Sequence, residues 1–321
     1  MMNTRAIGGY FELELPPARR EYHQNALRFQ SARAAFIAML LAGKPNAVWM
    51  PWYICESMIE PLRTSGVVIK RYAINERFQI NSTVLLGENE WLLYVNYFGL
   101  CDRNIDELLE EFPPEQIVID NAQAFYATPR ECLANIYSPR KFFGVPDGGY
   151  LVAWLDMPTP DTVDEGSIMR CSHLLKRLEG APEPGYADYL VAEESLSGQS
   201  PMRMSKLTQR ILSSIDYEAV QTRRRDNFAY LSEHLASRNQ FNFDATEKAT
   251  PLCYPFYGAP SGIREELIRY RVYTPSFWPE IARIPLVPAF EKTLQHSCLL
   301  LPCDQRLSKQ DMDRMIEVLS E

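Results

Sequence analysis

The sequence predicts an α/β fold in which a mostly parallel β-sheet is sandwiched by helices, followed by a smaller α+β region. Short apolar segments rich in β-branched residues recur in the first half of the chain, and segments of helical periodicity separate them. This alternation is typical of a parallel sheet that is covered on both faces. Beyond residue 155 the pattern changes to longer helices and then to mixed short elements. We therefore expect a large domain over residues 1–210 and a small domain over residues 211–321, beginning within a long connecting helix.

The predicted elements of the large domain are short strands joined by amphipathic helices. The strands are expected at Ala47–Trp52, Val67–Ile74, Trp91–Tyr97, Gln116–Asp120, Leu133–Tyr137 and Gly149–Leu155. Helices are expected at Ser31–Leu41, Cys55–Ser65, Asn104–Glu111 and Tyr186–Ser197, with one long helix at Ser205–Leu235. In the small domain, Ser308 and Asp311 form a capping-box pattern before a closing helix, Ser308–Leu319.

The composition is that of a globular protein, with 46% hydrophobic and 23% charged residues in 321 and a net charge of −8. The dense basic run Arg223–Arg225 is followed at once by Asp226, so nucleic-acid binding is not expected. The sequence has neither a signal peptide pattern nor a stretch of 18 apolar residues, so no membrane span is expected. The seven cysteines lack CxxC spacing and the four histidines lack ligand spacing. We expect free thiols, no metal site and a cytoplasmic protein.

Two residues that could carry chemistry follow neighbouring predicted strands. Asp120 ends one strand, and Lys141 lies 21 positions later, just after the next strand. The carboxyl ends of parallel strands meet at one edge of a sheet, where ligands bind. Taken alone, Asp120 is more simply a loop cap and Lys141 a surface residue. Their combination favours a ligand site in which both side chains face one crevice.

A lysine at such an edge can form a Schiff base, but only as the neutral amine. That form requires apolar surroundings or nearby positive charge. Phe142 and Phe143 are expected to supply an apolar wall and Arg140 the charge. The glycines Gly148-Gly149 allow the chain to approach a flat ligand closely.

The start of the helix at Ser31 is a candidate phosphate site. A helix N-terminus offers backbone N–H groups and the positive end of the helix dipole. Ser31, Ala32 and Arg33 add a hydroxyl, a small residue and a guanidinium. Without context the same residues describe an ordinary capped helix.

Together these segments resemble the DegT/DnrJ/StrS family. The resemblance is carried by Asp120-x-x-Gln123, Ser138-x-x-Lys141 and Gly148-Gly149, and more weakly by Gln30–Met39, Tyr94–Gly99 and Leu299–Asp304. It extends over nearly the whole chain, and the acid-to-lysine block is its most specific part. The family consists of fold-type I enzymes that depend on pyridoxal 5′-phosphate (PLP), mostly nucleotide-sugar aminotransferases.

The resemblance implies a role for each candidate residue. Lys141 would form the Schiff base with PLP and move the proton, and Asp120 would keep the pyridine nitrogen protonated. Gln123 would lie near the phenolic oxygen of the ring or near the lysine. The phosphate would be bound by Ser138, Ser31, Ala32 and Arg33. Tyr53 would stack on the ring, and Asn96 is a further pocket candidate.

It also implies glutamate as amino donor and a keto-sugar nucleotide as acceptor, in surface-polysaccharide or related biosynthesis. A homodimer with shared active sites is expected. The chain departs from the family at Ala32-Arg33, where glycine and threonine are usual, and at Pro201–Ser205, where Arg203 stands near the usual asparagine. Two alternatives therefore stay open: a PLP-binding protein with a different reaction, and a relative that binds or regulates without turnover. Dehydratases of the family replace the lysine with histidine, and Lys141 argues against that reaction.

Overall fold

The structure is a computed structural model that describes residues 7–241, 243 and 249–320. Seven strands among these residues form one sheet in the order β1-β7-β6-β5-β4-β2-β3. They are β1 Leu27–Phe29, β2 Ala47–Pro51, β3 Val68–Tyr72, β4 Glu90–Val95, β5 Ile117–Asn121, β6 Ala134–Tyr137 and β7 Gly149–Ala153. β7 runs antiparallel to both of its neighbours, and the other pairs are parallel. The predicted mostly parallel sheet is thus confirmed.

Burial explains why the central strands form where the sequence predicts them. β5 and β6 are buried at every residue, because helices and loops cover both faces of the sheet. A strand that is buried on both faces reads as a continuous apolar run rather than as an alternating pattern. Their polar residues therefore stand out, and Asp120 and Asn121 at the end of β5 are the clearest case.

Helices α1 Ala32–Gly43, α2 Glu56–Thr64 and α3 Asp102–Glu111 connect the first strands. α1 begins where Ser31 adopts an extended conformation and its hydroxyl oxygen accepts a hydrogen bond from the Ala34 amide at 3.0 Å. It ends at Lys44, whose left-handed backbone lets its amide donate to the Leu40 carbonyl. The cap fixes the first turn of α1, which lies beside β7.

The helices α4 Ser172–Glu179, α5 Tyr186–Glu194, α6 Lys206–Leu212 and α7 Tyr217–Leu235 follow the sheet. The prediction of one long helix at Ser205–Leu235 is wrong, since two helices occupy this range. Ser205 caps α6 by accepting from the Thr208 amide, and Asp216 caps α7 by accepting from the Ala219 amide. A capping side chain between two apolar stripes ends one helix and starts the next. β1 and α4 were not predicted.

The C-terminal part contains a two-stranded antiparallel sheet, β8 Cys253–Tyr257 and β9 Cys298–Pro302, with α8 Ile263–Arg269, α9 Ala289–Ser297 and α10 Lys309–Ser320. Side chains of α7, α8, α10 and both strands form an apolar cluster separate from that of the main sheet. The predicted capping box is present: the Ser308 amide donates to Asp311 Oδ2 at 2.8 Å. The domain boundary at residue 210 stays a prediction.

Candidate functional site

Asp120 and Lys141 lie at the same edge of the sheet. β5 and β6 are parallel, with Asp120 opposite Ile136, so both strands end side by side. Lys141 closes a 3₁₀ turn, Pro139–Lys141, immediately after β6. The positive charge of Lys141 acts on the Asp120 carboxylate and opposes the rise in its pKa. The two groups that the sequence analysis singled out are therefore electrostatic neighbours.

Asp120 is a buried carboxylate, 4% exposed. Burial raises the pKa of Asp120, because a charged carboxylate loses its hydration. Lys141 and the Ala122 amide, which donates to Asp120 Oδ1 at 2.8 Å, act in the opposite direction. A cationic group placed against Asp120 would supply the charge compensation that the protein gives only in part.

The surroundings of Lys141 differ from the expectation. Phe142 and Phe143 are buried in an aromatic cluster around Phe125, and Arg140 is paired with Glu193. Successive residues of a tight turn point in different directions, so the residues next to Lys141 in sequence do not form its wall. Lys141 itself is exposed, and its Nζ lies 5.4 Å from the centre of the Phe277 ring. The apolar wall thus comes from the segment between α8 and α9.

Gln123 is buried, 1% exposed, at the turn after β5. Its Oε1 accepts from the Phe98 amide at 2.8 Å, whereas its Nε2 is buried without a hydrogen-bond partner among the described residues. An unpaired buried donor costs about 1–3 kcal/mol. The amide is therefore oriented by Phe98 and has a donor left for a ligand oxygen.

The start of α1 lies against the start of β7 and the turn that carries Lys141. The Gly148 amide donates to the Gln30 carbonyl at 2.7 Å. A Cβ on Gly149 would lie 2.5 Å from the Ala32 nitrogen, and one on Gly148 would lie 2.7 Å from Pro139 Cγ. Only glycines permit this approach. They bring the N-terminus of α1 close to the Lys141 turn.

At this N-terminus the Ser31 hydroxyl is engaged with Ala34, and the Arg33 amide has no acceptor among the described residues. The Arg33 guanidinium turns away. Its Nη1 lies 3.2 Å from Glu60 Oε2 and 3.2 Å from the Leu196 carbonyl oxygen. The guanidinium therefore forms an ion pair between α1 and α2 through Nη1, while its Nε is buried without a hydrogen-bond partner among the described residues. The Arg33 amide is the backbone donor that this helix end offers to an anion. Ser138 is buried between β6 and the Lys141 turn, and its side chain does not cap that turn.

Tyr53 and Asn96 are engaged within the protein. The Tyr53 ring meets Trp278 edge-on at 4.5 Å and stacks on Tyr97 at 5.9 Å. The Asn96 amide nitrogen donates to Asn121 Oδ1 at 3.0 Å and to Asp102, while its oxygen accepts from the Cys101 amide. Asn96 thus orders the turn after β4 instead of facing an open space.

Three further residues of the site were missed by the sequence analysis. Cys55 precedes α2, and the charges of Lys141 and Asp120 both reach its thiol, whose pKa is raised by burial. The rule used for Asp120, a polar residue just after a strand, could have found Cys55. Phe277 and Trp278 come from an irregular segment far along the chain, and no sequence pattern places them here.

One cleft lies apart from these groups. It measures about 480 Å³ and its lining includes Gly99, Arg130, Gln221 and Arg225, but none of the residues proposed for catalysis or cofactor binding. Among the described residues no group of three or more His, Cys, Asp or Glu side chains could hold a metal ion. None of the described helices is long and apolar enough to cross a membrane.

No family model and no curated protein matches this chain significantly. Solved structures do match, each over 92% of this chain. E. coli GDP-4-keto-6-deoxy-D-mannose-3-dehydratase with bound hydrated PLP has 15% identity, a TM-score of 0.64 and 87% of its length covered. NtdA from Bacillus subtilis with bound cofactor PMP has 16% identity, a TM-score of 0.64 and 72% covered. Helicobacter pylori PseC, an aminotransferase involved in the biosynthesis of pseudoaminic acid, has 14% identity, a TM-score of 0.59 and 85% covered.

These likenesses define the fold class. The chain has the fold-type I architecture of PLP-dependent enzymes, as the sequence analysis expects. At such low identity the similarity establishes the fold and leaves the reaction to be argued from the site.

Proposed function

We propose that the chain is a PLP-dependent aminotransferase of the DegT type, which transfers an amino group from glutamate to a keto-sugar nucleotide. The observation that carries the proposal is the pairing of Lys141 with the buried Asp120 at adjacent strand ends. A lysine and a carboxylate in one crevice are the two groups that PLP chemistry requires of a protein.

The residues present fit the cofactor. The unpaired Nε2 of Gln123 is a donor without an acceptor, as a ligand oxygen would require. The Arg33 amide and the buried Ser138 supply donors for a phosphate beside the Lys141 turn. The Arg33 guanidinium is not part of this proposed set, because Glu60 and the Leu196 carbonyl hold its Nη1. Asn96 and Tyr53 are also left out, since contacts within the protein engage both side chains.

When bound, PLP withdraws electrons from the substrate carbon. Asp120 would hold a proton on the pyridine nitrogen, and the positive charge there would stabilise the buried carboxylate of Asp120. Lys141 would hold the cofactor, and its Nζ would carry a proton to and from the substrate. The Phe277 ring, whose centre lies 5.4 Å from Nζ, borders the position of the atom that would carry this proton.

Glutamate and a keto-sugar nucleotide are the proposed substrates by the family resemblance. The names of the solved structures support the acceptor class, since they include an aminotransferase of pseudoaminic acid biosynthesis and a dehydratase of a nucleotide-linked keto-sugar. A cytoplasmic location is part of the proposal and is supported by the seven free thiols.

The direct test is the first half-reaction. Protein loaded with PLP and mixed with excess glutamate should release 2-oxoglutarate and hold pyridoxamine phosphate, both measured by mass spectrometry. The K141A variant, with the cofactor added in excess, should yield neither above the uncatalysed rate. PLP binding without any donor half-reaction would favour the non-catalytic alternative, and failure to bind PLP would refute the proposal.

We further propose a homodimer. α4, α5 and the segment before them expose several large apolar side chains, among them Met169, Leu178, Tyr186 and Val191. Leu178 is 84% exposed and Val191 is 71% exposed. Apolar groups that cluster on one surface favour association. A second copy of this chain is the proposed partner, in agreement with the shared active sites that the resemblance implies.

A further inference from the structure

Arg224 on α7 is a buried cation without a carboxylate partner among the described residues. It is 2% exposed, and burial lowers its pKa. Its Nε donates to Gln305 Oε1 at 2.9 Å, and its Nη1 donates to the carbonyls of Pro251 and Leu252 at 3.2 Å. A buried charge whose hydrogen bonds go only to neutral acceptors is costly, so its position calls for a specific explanation.

The remaining contacts of Arg224 go to the residue that follows Lys141. Its Nη2 donates to the Phe142 carbonyl at 3.4 Å, and its guanidinium carbon lies 4.5 Å from the centre of the Phe142 ring. Gln305 Nε2 donates to the same carbonyl at 2.8 Å. The Phe142 amide in turn donates to the Pro139 carbonyl at 3.0 Å. Hydrogen bonds therefore fix both the amide and the carbonyl group of Phe142.

We propose that Arg224 and Gln305 are positioning residues that fix the Lys141 turn to the C-terminal part of the chain. This inference rests on the proposed function, since it assigns Lys141 as the residue whose placement matters. The side chain of Lys141 is long and flexible, so the direction of Nζ depends on a fixed backbone. Through Arg224 the turn is joined to the segment before β8, and through Gln305 to the turn between β9 and α10.

The contact of Nζ with Phe277 links the side chain of Lys141 to the same part of the chain. Phe277, whose ring centre lies 5.4 Å from Nζ, belongs to the C-terminal part, as do Arg224 and Gln305, which form a clamp at the Phe142 carbonyl. Loosening the clamp lets the Lys141 backbone adopt more positions, so that fewer of them present Nζ to a bound PLP.

The test compares Q305E and R224K with a matched control, N227A. The glutamate of Q305E can still accept from Arg224 but cannot donate to the Phe142 carbonyl, so this variant removes the shorter of the two hydrogen bonds to that carbonyl while keeping a partner for the buried cation. Asn227 lies one turn further along α7 and donates to the carbonyls of Asp304 and Leu307 without contacting Phe142. N227A thus removes hydrogen bonds between α7 and the turn after β9 without changing any contact of the Lys141 turn.

The first readout needs no cofactor. In the apo-protein, hydrogen exchange at the Phe142 and Phe143 amides should be on the order of tenfold faster in Q305E than in N227A at matched stability. The second readout is the rate at which Lys141 is trapped on PLP by borohydride at one fixed pH. It should be lower in Q305E and R224K than in the parental protein and N227A. Equal exchange rates in Q305E and N227A would overturn the proposal, as would unchanged trapping rates. If no PLP is trapped on Lys141 of the parental protein, the proposed function is wrong. Hydrogen exchange then still tests whether Arg224 and Gln305 fix the Lys141 turn.

Discussion

At the scale of single residues, Asp120 shows a conflict between stability and the proposed chemistry. Its carboxylate is buried and its pKa is raised, so the folded apo-protein binds this proton more tightly than the unfolded chain does. Stability is then highest below the pKa of the unfolded chain and falls as the pH rises through the raised folded pKa. The protein keeps a destabilising carboxylate where a bound cation would compensate it.

We predict that D120N makes the apo-protein more stable at neutral pH, by on the order of 1 kcal/mol. The asparagine of this variant can still accept from the Ala122 amide through its side-chain oxygen, and the cost of burying a charge is gone. The same variant should bind PLP at least tenfold more weakly. Urea unfolding and equilibrium dialysis measure the two effects.

Asp147 differs from Asp120 in its hydrogen bonds. Burial raises the pKa of Asp147 as well, but its two oxygens accept from the amide and the hydroxyl of Ser205 and from the hydroxyl of Thr208, whereas Asp120 accepts from one amide. In D147N one of these donors faces an NH₂ group, so this variant should be destabilised by about 1–3 kcal/mol. If D120N destabilises the apo-protein as D147N does, the explanation of Asp120 given above is wrong.

The residue scale also shows what the sequence can and cannot reveal of the site. Asp120, Gln123 and Lys141 stand at or just after the ends of strands. Ligands of parallel sheets bind at these ends, so the three residues can be identified without a structure. Phe277 reaches Lys141 from more than 130 positions away, and its segment has no periodicity to place it. Arg33 fits a phosphate site by residue type, but an acid on α2 engages its guanidinium, which no local pattern could indicate.

At the scale of elements, the contact between α1 and β7 determines whether the helix N-terminus meets the Lys141 turn. We predict that G149A destabilises the protein by about 2 kcal/mol and weakens PLP binding, because the new Cβ would lie 2.3 Å from the Ser31 carbonyl carbon. The backbone of β7 and the backbone at the start of α1 have to move apart to accommodate it. Thermal unfolding and the dissociation constant of PLP measure the two effects.

G180A is the matched control, since a Cβ at Gly180 meets no atom within 4 Å. It should leave PLP binding unchanged. Normal PLP binding by G149A would show that the approach of β7 to α1 is not needed for the phosphate site.

The observed element boundaries agree best with the predicted ones where a strand is buried along its whole length. β2, β4, β5 and β6 lie close to their predicted ranges, because central strands must be apolar throughout. β1 has only three residues and pairs with β7 at the sheet edge, so it lacks a long apolar pattern. The break between α6 and α7 depends on Asp216 acting as a cap, which competes with a helical pattern that continues through it.

At the scale of the whole molecule, a buried histidine makes stability depend on pH. His23 is packed against Tyr137 and hydrogen-bonded to the Phe125 carbonyl, and burial lowers its pKa from 6.5 to about 4. The unfolded chain therefore binds the proton first, and stability is lost as the pH falls from 6.5 towards 4. This interval corresponds to ~3 kcal/mol.

We predict that H23Q flattens this dependence, because the glutamine amide can donate to Phe125 without titrating. Free energies of unfolding in urea at about pH 7.5 and about pH 5, on either side of the unfolded pKa, should differ less in H23Q than in the parental protein. An equal loss of stability between the two pH values in H23Q and in the parental protein would show that His23 does not cause the acid sensitivity.

The proposed dimer can be tested at the same scale. Light scattering should give twice the mass of the 37.0 kDa chain. Charges in the exposed apolar surface, as in L178E with V191E, should shift the protein towards the monomer with little change in the stability of the chain. A parental protein that is monomeric at all concentrations would contradict the dimer.

The attachment of PLP to Lys141 is the central claim, and one measurement tests it most directly. The protein is incubated with PLP, reduced with borohydride, digested and analysed by peptide mass spectrometry. We predict a pyridoxyl group on the peptide that contains Lys141, and none on the corresponding peptide of K141R. A label on another lysine, or no label at all, would contradict the claim.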